Sequence, residues 1–102
     1  MLELRPGCEH CDTPLPPEAT NAMICSFECT FCADCVSKVL SNVCPNCAGG
    51  FWPRPVRPRV NRKGGNFLGN YPAGTRVVHK PVDSEAHAEL VARCASIPPA
   101  QR

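Results

Sequence analysis

Aromatic residues and long apolar runs are scarce in this chain. Aromatics make up 6% of its 102 residues, with one tryptophan and one tyrosine. No stretch approaches the roughly 20 apolar residues that cross a bilayer, so we expect no membrane span. Residues 1–6 include an acid and lead into no apolar run, unlike a secretory signal peptide. We therefore expect a cytoplasmic protein, in a compartment where thiols stay reduced.

The sequence patterns of common catalytic sites are also missing. There is no Ser, His and Asp spacing of a hydrolase, no paired-carboxylate motif and no glycine loop that cradles a phosphate. The glycines at 64, 65, 69 and 74 follow no such fingerprint. We therefore expect no enzymatic activity and no small-molecule substrate.

Acidic residues are absent from residues 36–82, which carry eight bases. Residues 1–35, in contrast, carry six acids against the single base Arg5. The formal net charge of +2 counts every cysteine as neutral. Eight thiolates would remove eight charges and two divalent ions would restore four, which leaves the loaded protein near −2. The segregation of charge is therefore more informative than the net value.

Cysteine is abundant, with nine residues, and eight of them form four close pairs in the first half of the chain. The pairs are Cys8/Cys11, Cys25/Cys29, Cys32/Cys35 and Cys44/Cys47. Eight thiolates suit two tetrahedral four-sulfur zinc sites with no open coordination position. So short a segment cannot bury a self-sufficient core, and bound metal would stabilise it. The sequence therefore predicts two zinc ions with a structural role, with iron as a minor alternative.

Two ligand pairings are compatible with the spacing. In a sequential pairing, the first two cysteine pairs bind one ion and the last two pairs bind the other. In an interleaved pairing, the first and third pairs share one ion and the second and fourth share the other. The short link from Cys29 to Cys32 would then run from one site to the other and crosslink the module.

The distribution of cysteine, proline, glycine and apolar residues predicts three segments along the chain. Residues 1–52 form the metal module, residues 53–82 an extended basic segment rich in proline and glycine, and residues 83–102 a helix and tail. We expect a helix over 33–43, a strand or hairpin near Met23 and Ile24, and one short strand over 75–78. The last helix is predicted over 84–97, with Asp83 or Ser84 as its N-cap.

The cysteine spacing resembles that of RING fingers, with Cys29 at the position where most RINGs use histidine. Residues 30–32, Thr-Phe-Cys, are similar to the aromatic-then-cysteine step of RINGs, and Cys-Pro-Asn-Cys at 44–47 is similar to their closing knuckle. Over about residues 8–47, the resemblance implies a small metal-stabilised α+β fold, a RING-like or treble-clef cross-brace. The implied sites are Cys8, Cys11, Cys32 and Cys35 for site 1, and Cys25, Cys29, Cys44 and Cys47 for site 2.

The features by which RING ubiquitin ligases bind their conjugating enzyme are missing from this sequence. His10 stands where ligases place an apolar residue, before the second cysteine. The interval between the third and fourth pairs has no tryptophan, and Ala48 stands where a basic residue often follows the last cysteine. We therefore expect the scaffold without ligase activity.

A family of small bacterial proteins, known only as a domain of unknown function, is a nearer resemblance. Its members are similar to this chain in the opening Met-Leu-Glu-Leu-Arg-Pro (1–6), in Cys-Ser-Phe-Glu-Cys-Thr-Phe-Cys-Ala-Asp-Cys (25–35), and in an Arg-Pro-rich stretch (53–59). The resemblance extends to about Pro81 and implies a bacterial zinc-binding protein without assigned activity.

The basic segment is the candidate contact surface for a macromolecule. Its candidate residues are Trp52, Arg54, Arg57, Arg59, Arg62 and Lys63. They suit a nucleic-acid arm, with arginines on phosphates and an aromatic ring stacked on a base. Alternatively, the segment packs back on residues 1–35, where Arg54, Arg57 and Arg59 could pair with Glu18, Glu28 or Asp34.

We expect a non-enzymatic interaction module that binds a protein partner in preference to nucleic acid. A small nucleic-acid-binding regulator and a thiol or zinc redox sensor are the alternatives. His10, His79 and His87 are interpreted as solvent-facing residues, and Cys94 as a small apolar residue on a helix face.

Overall fold

A three-stranded antiparallel sheet lies at the centre of the protein. A computed structural model describes all 102 residues. The strands are β1 (Ala22–Ile24), β2 (Thr30–Cys32) and β3 (Trp52–Pro53), in the order β2-β1-β3. Met23 of β1 lies opposite Phe31 of β2 on one side and Pro53 on the other. The prediction of a strand near Met23 and Ile24 is confirmed.

A short helix, α1 (Ala33–Lys38), follows β2 without a break. It ends well before the predicted boundary at residue 43. Val39 is its C-cap, and Ser41 and Asn42 have φ angles of 51° and 56°, which an α-helix cannot accommodate. The apolar residues Leu40 and Val43 are nevertheless fully buried. Their spacing results from their burial in the turns after the helix. Apolar periodicity alone cannot distinguish such buried turns from a longer helix.

The second helix, α2 (Ser84–Cys94), packs on the cysteine-rich part of the same chain. The side chain of Asp83 is the N-cap and accepts hydrogen bonds from the amides of Glu85 and Ala86. His87 is buried, and its Nε2 lies 3.0 Å from the carbonyl oxygen of Leu40. The helix ends at Cys94, earlier than predicted, and a 3₁₀ turn follows at Pro99–Gln101.

Residues 54–83 contain no helix or strand, so the strand predicted over 75–78 is wrong. This stretch lies along the N-terminal segment. The amide of Gly74 donates to the carbonyl of Leu4, and the amide of Lys80 donates to the carbonyl of Glu9. These isolated contacts satisfy single backbone groups without forming a ladder, which is why no strand results.

The core consists largely of cysteine side chains. Six of the nine cysteines are buried, with Leu15, Leu40 and the aromatic pair Phe31 and Phe51 around them. The two rings meet edge to face, with centroids 5.4 Å apart. A core with so few large apolar side chains is of the kind that bound metal ions usually stabilise. None of the helices is long and apolar enough to cross a membrane.

Candidate metal centres

Four sulfur atoms from the first and third cysteine pairs form cluster 1. Its members are Cys8, Cys11, Cys32 and Cys35, and their Sγ atoms all lie within 4.8 Å of one another. A tetrahedral zinc ion with Zn–S bonds of about 2.3 Å requires sulfur atoms roughly 3.8 Å apart. The Sγ atoms of Cys11 and Cys32 are 3.8 Å apart. Cluster 1 therefore has the donor type, number and spacing that suit tetrahedral zinc.

The second and fourth pairs meet at cluster 2, which is less complete. Cys25, Cys44 and Cys47 have their Sγ atoms within 4.8 Å of one another. Cys29 lies outside that group, and its Sγ accepts a hydrogen bond from Nδ2 of Asn46 at 3.4 Å. Cluster 2 therefore presents three sulfurs that suit a metal ion and a fourth thiol beside them.

Strand β2 explains how two clusters form from alternating pairs. Cys29 precedes the strand on the side of cluster 2, and Cys32 is its last residue and a member of cluster 1. Helix α1 then places Cys35 one turn after Cys32. The grouping in space is that of an interleaved pairing, with the first pair beside the third and three sulfurs of the second and fourth pairs together.

Polar groups favour the thiolate form at one sulfur of cluster 1. The hydroxyl of Thr13 lies 3.1 Å from Sγ of Cys11, and its hydrogen bond lowers the pKa of that thiol to about 6. Burial raises the pKa of Cys35 and, in cluster 2, of Cys44. A divalent cation would compensate these buried thiolates, because a thiol that coordinates a metal is deprotonated outright.

A buried carboxylate fixes the first cysteine knuckle against the sheet. Glu9, which follows Cys8, is 3% exposed, and its carboxylate accepts hydrogen bonds from the amide of Thr30 and from Arg5. The amide of Glu9 also donates to the carbonyl of Thr30. The chain between two predicted ligands is thereby attached to β2, which carries two others at or beside its ends.

Arg54, predicted as a partner contact, is a structural residue. It is 4% exposed, and its guanidinium donates to the carbonyl oxygens of Arg5, Leu15 and Pro16. Burial without a carboxylate partner lowers its pKa. A group enclosed in this way cannot reach a phosphate, so this prediction is wrong.

Arg57 is also engaged within the chain, through the carbonyl oxygens of Leu2 and Tyr71. Arg54 and Arg57 therefore pack back on residues 1–35, as the alternative prediction has it, but they bind backbone carbonyls there and not the predicted acids. Arg59, Arg62 and Lys63 are exposed, and none of them forms a salt bridge. Trp52 is 79% exposed. The predicted contact surface is therefore reduced to these four residues.

Two histidines interpreted as solvent-facing have structural contacts. Nδ1 of His10 accepts a hydrogen bond from the amide of Val82, which attaches the start of the C-terminal segment to the first knuckle. His87 is 5% exposed. The signal for His87 was present in the sequence, since it precedes Leu90, Val91 and Cys94 by three, four and seven residues, on the apolar face of α2. The contact of His10 had no local signal.

The comparison with known proteins covers the whole cysteine-rich region. A family model described as "Protein of unknown function (DUF1272)" matches residues 1–57, which include all four cysteine pairs. The chain is 53% identical over 81 residues to "Uncharacterized protein R02474" of Rhizobium meliloti (strain 1021), a match that covers 79% of this chain and 89% of that protein. No solved structure matches the chain. These matches confirm the resemblance drawn from the sequence, and the chain belongs to the DUF1272 family of unknown function.

Proposed function

We propose that the protein is a non-enzymatic two-zinc module, a RING-like cross-brace of treble-clef type that displays a surface to a macromolecular partner. Site 1 is cluster 1. Site 2 is cluster 2 together with Cys29. The observation that carries the proposal is that the cysteine pairs alternate between two sulfur clusters, so that each ion would join distant parts of the chain.

The donor chemistry supports zinc in a structural role. Thiolate sulfur is the ligand set of structural zinc, and the paired spacing is typical of its knuckles. The amide of Gly49 lies 3.4 Å from Sγ of Cys47, as expected where a knuckle turns its N–H groups toward a ligand. A closed four-thiolate site such as site 1 leaves no position for water or substrate, which argues against hydrolytic catalysis there.

A protein partner is supported by exposed aromatic residues beside site 2. Phe27, between Cys25 and Cys29, is 71% exposed, and Trp52 is 79% exposed. Trp52 lies opposite Ile24 in the sheet, and Ile24 directly precedes Cys25 in the chain. Tryptophan is enriched at protein interfaces, where it supplies a large part of the binding energy. Arg54 and Arg57, which would have extended a phosphate-binding arm, are engaged within the chain.

Nucleic-acid binding is the second candidate, because Arg59, Arg62 and Lys63 are exposed and unpaired. We would measure binding to random single-stranded DNA and RNA at increasing salt. Affinity that falls steeply with salt and is lost in the R59A/R62A/K63A variant would support this candidate over a protein partner. Salt-insensitive or absent binding would leave the protein partner as the proposal.

Native mass spectrometry of protein purified without added metal tests the scaffold. We expect two zinc ions per chain, and loss of the fold when both are removed by a chelator, because metal binding free energy is folding free energy in such modules. Disulfides, iron or an absence of metal would contradict the proposal.

A further inference from the structure

We infer that Cys29 is an exchangeable ligand of site 2, so that this site holds its ion through three fixed thiolates and can accept an external soft donor, such as a small thiol, in the fourth position. The inference rests on the proposed two-zinc function and specifies the chemistry of one site. Site 1, in this account, is closed and holds its ion permanently.

The first observation is the position of the sulfur atoms. All four sulfurs of cluster 1 lie within 4.8 Å of one another, whereas cluster 2 meets the same limit with Cys25, Cys44 and Cys47 alone. Zinc sites with three protein ligands and one replaceable position are the ones open to exchange, while four-ligand sites are closed. The two clusters therefore differ in the property that separates permanent from exchangeable zinc.

The second observation is that Cys29 has another partner. Nδ2 of Asn46 donates to Sγ of Cys29, and Asn46 lies between Cys44 and Cys47 in the closing knuckle. This hydrogen bond gives the Cys29 sulfur a partner when it is away from the ion. Site 2 therefore contains both the ligand that would leave the ion, Cys29, and the hydrogen-bond donor that would hold it afterwards, Asn46.

The backbone gives a reason for the displacement. Three residues separate Cys25 from Cys29, whereas two separate the cysteines of every other pair. The additional residue is accommodated by Glu28 at φ 66°, a conformation that non-glycine residues rarely adopt. Glu28 precedes Cys29 directly, so this turn sets the direction in which the Cys29 side chain leaves the backbone.

One cavity gives an external ligand access to a sulfur of site 2. It has a volume of about 400 Å³ and is lined by Cys25, Ser26 and Trp52. A small thiol fits in this space. In the exchange the incoming thiol would take the place of the Cys29 sulfur on the ion and pass its proton to Cys29, which would remain hydrogen-bonded to Asn46, so no oxidant is required.

Zinc release to a colorimetric chelator tests the inference, with native mass spectrometry to count the ions that remain. We expect wild type to release one ion at least about tenfold faster than the other. The C29S variant should still bind two ions, whereas C44S should bind only one. If both wild-type ions leave at one rate, or if C29S loses its ion as completely as C44S, the inference is wrong.

The N46A variant distinguishes exchange from ordinary support of a ligand. If Asn46 holds the detached Cys29 side chain, its removal should return Cys29 to the ion and slow the fast release by about tenfold. Faster release in N46A would show that Asn46 only orients a permanently bound ligand, which contradicts the inference. A chain without any zinc would instead contradict the proposed function, so the two failures are distinguishable.

Discussion

The two cysteine clusters use the same ligand type in different surroundings. Cluster 1 brings four sulfurs together and lies beside a buried polar network, in which Glu9 binds β2 and Arg54 binds the carbonyls of Arg5, Leu15 and Pro16. Cluster 2 brings three sulfurs together. In its surroundings, Asn46 donates a hydrogen bond to Cys29, and Arg102 donates one to the carbonyl oxygen of Ala48. The comparison shows that two clusters with the same predicted ligand type can differ in the polar groups and turns that surround their cysteine knuckles.

Cysteine substitutions should give the largest effect and test whether the two clusters are separate sites. C35S should lose the ion of site 1 and C44S the ion of site 2, and each loss should unfold much of the module. C94S is the matched control, because Cys94 belongs to neither cluster. Zinc content and circular dichroism measure both effects. Loss of both ions from C94S, or of none from C35S, would contradict the assignment.

Replacement of Arg54 should destabilise the cluster 1 side of the molecule. R54M leaves one buried and two partly buried carbonyl oxygens without their donor, and we expect the free energy of unfolding to fall by about 2–3 kcal/mol. Urea unfolding at fixed zinc concentration measures the change. The control R59A, at an exposed arginine of the same segment, should change stability by less than about 0.5 kcal/mol. Equal effects of R54M and R59A would show that the buried network is unimportant.

Removal of Arg102 should have a smaller effect, confined to cluster 2. Its guanidinium donates to the carbonyl oxygens of Asn42 and Ala48, on the turns before and after the closing knuckle. We expect R102A to lower stability by about 1 kcal/mol and to speed zinc release from site 2 without changing site 1. R93A, on an exposed position of α2, is the control. An unchanged release rate in R102A would show that these turns are fixed without it.

The ion pairs of Glu3 should give the smallest effect, which depends on pH. Hydrogen bonds from Arg76 and Arg5 lower the pKa of Glu3 from 4.5 to about 2. The folded-state pKa lies below the unfolded value, so the contribution is complete above about pH 4.5 and is lost as the pH falls toward 2. The Arg76 side chain is 60% exposed, so solvent weakens this ion pair, and E3Q should lower stability by less than about 1 kcal/mol.

Carbon-13 NMR of the Glu3 carboxyl group checks this shift. At about pH 4 the group should remain ionised in wild type, and R76A should raise its titration midpoint toward the ordinary value. A wild-type midpoint near 4.5 would show that the ion pairs are absent in solution.

The sequence predicted the region whose cysteines could hold metal ions, because cysteine pairs at this spacing are typical metal ligands. The spacing of the eight cysteines indicated two sites. The apolar residues predicted a helix that begins directly after Cys32, and Asp83 was one of the two residues predicted as the N-cap of the last helix. These are local signals, in which residue type and short spacing carry the information. The resemblance to RING fingers, and not the spacing, implied which pairs lie together.

Long-range contacts could not be predicted in this way. Arg54 looks like a residue of an exposed basic arm, yet it binds carbonyl oxygens of residues 38 to 49 positions earlier in the chain. Backbone carbonyls are present at every residue, so they leave no trace in the sequence. The position of Cys29 outside the three-sulfur group likewise depends on the turn at Glu28. The positive φ of Glu28 could not be predicted from its residue type.

Correlation of cadmium-113 with the cysteine β-protons by NMR is the most direct test of the account. It identifies which cysteines bind which ion in the cadmium-substituted protein. The account predicts two cadmium signals, one correlated with Cys8, Cys11, Cys32 and Cys35 and the other with Cys25, Cys44 and Cys47. Correlation of Cys8 and Cys25 with the same ion would contradict the alternating arrangement on which the proposed function depends.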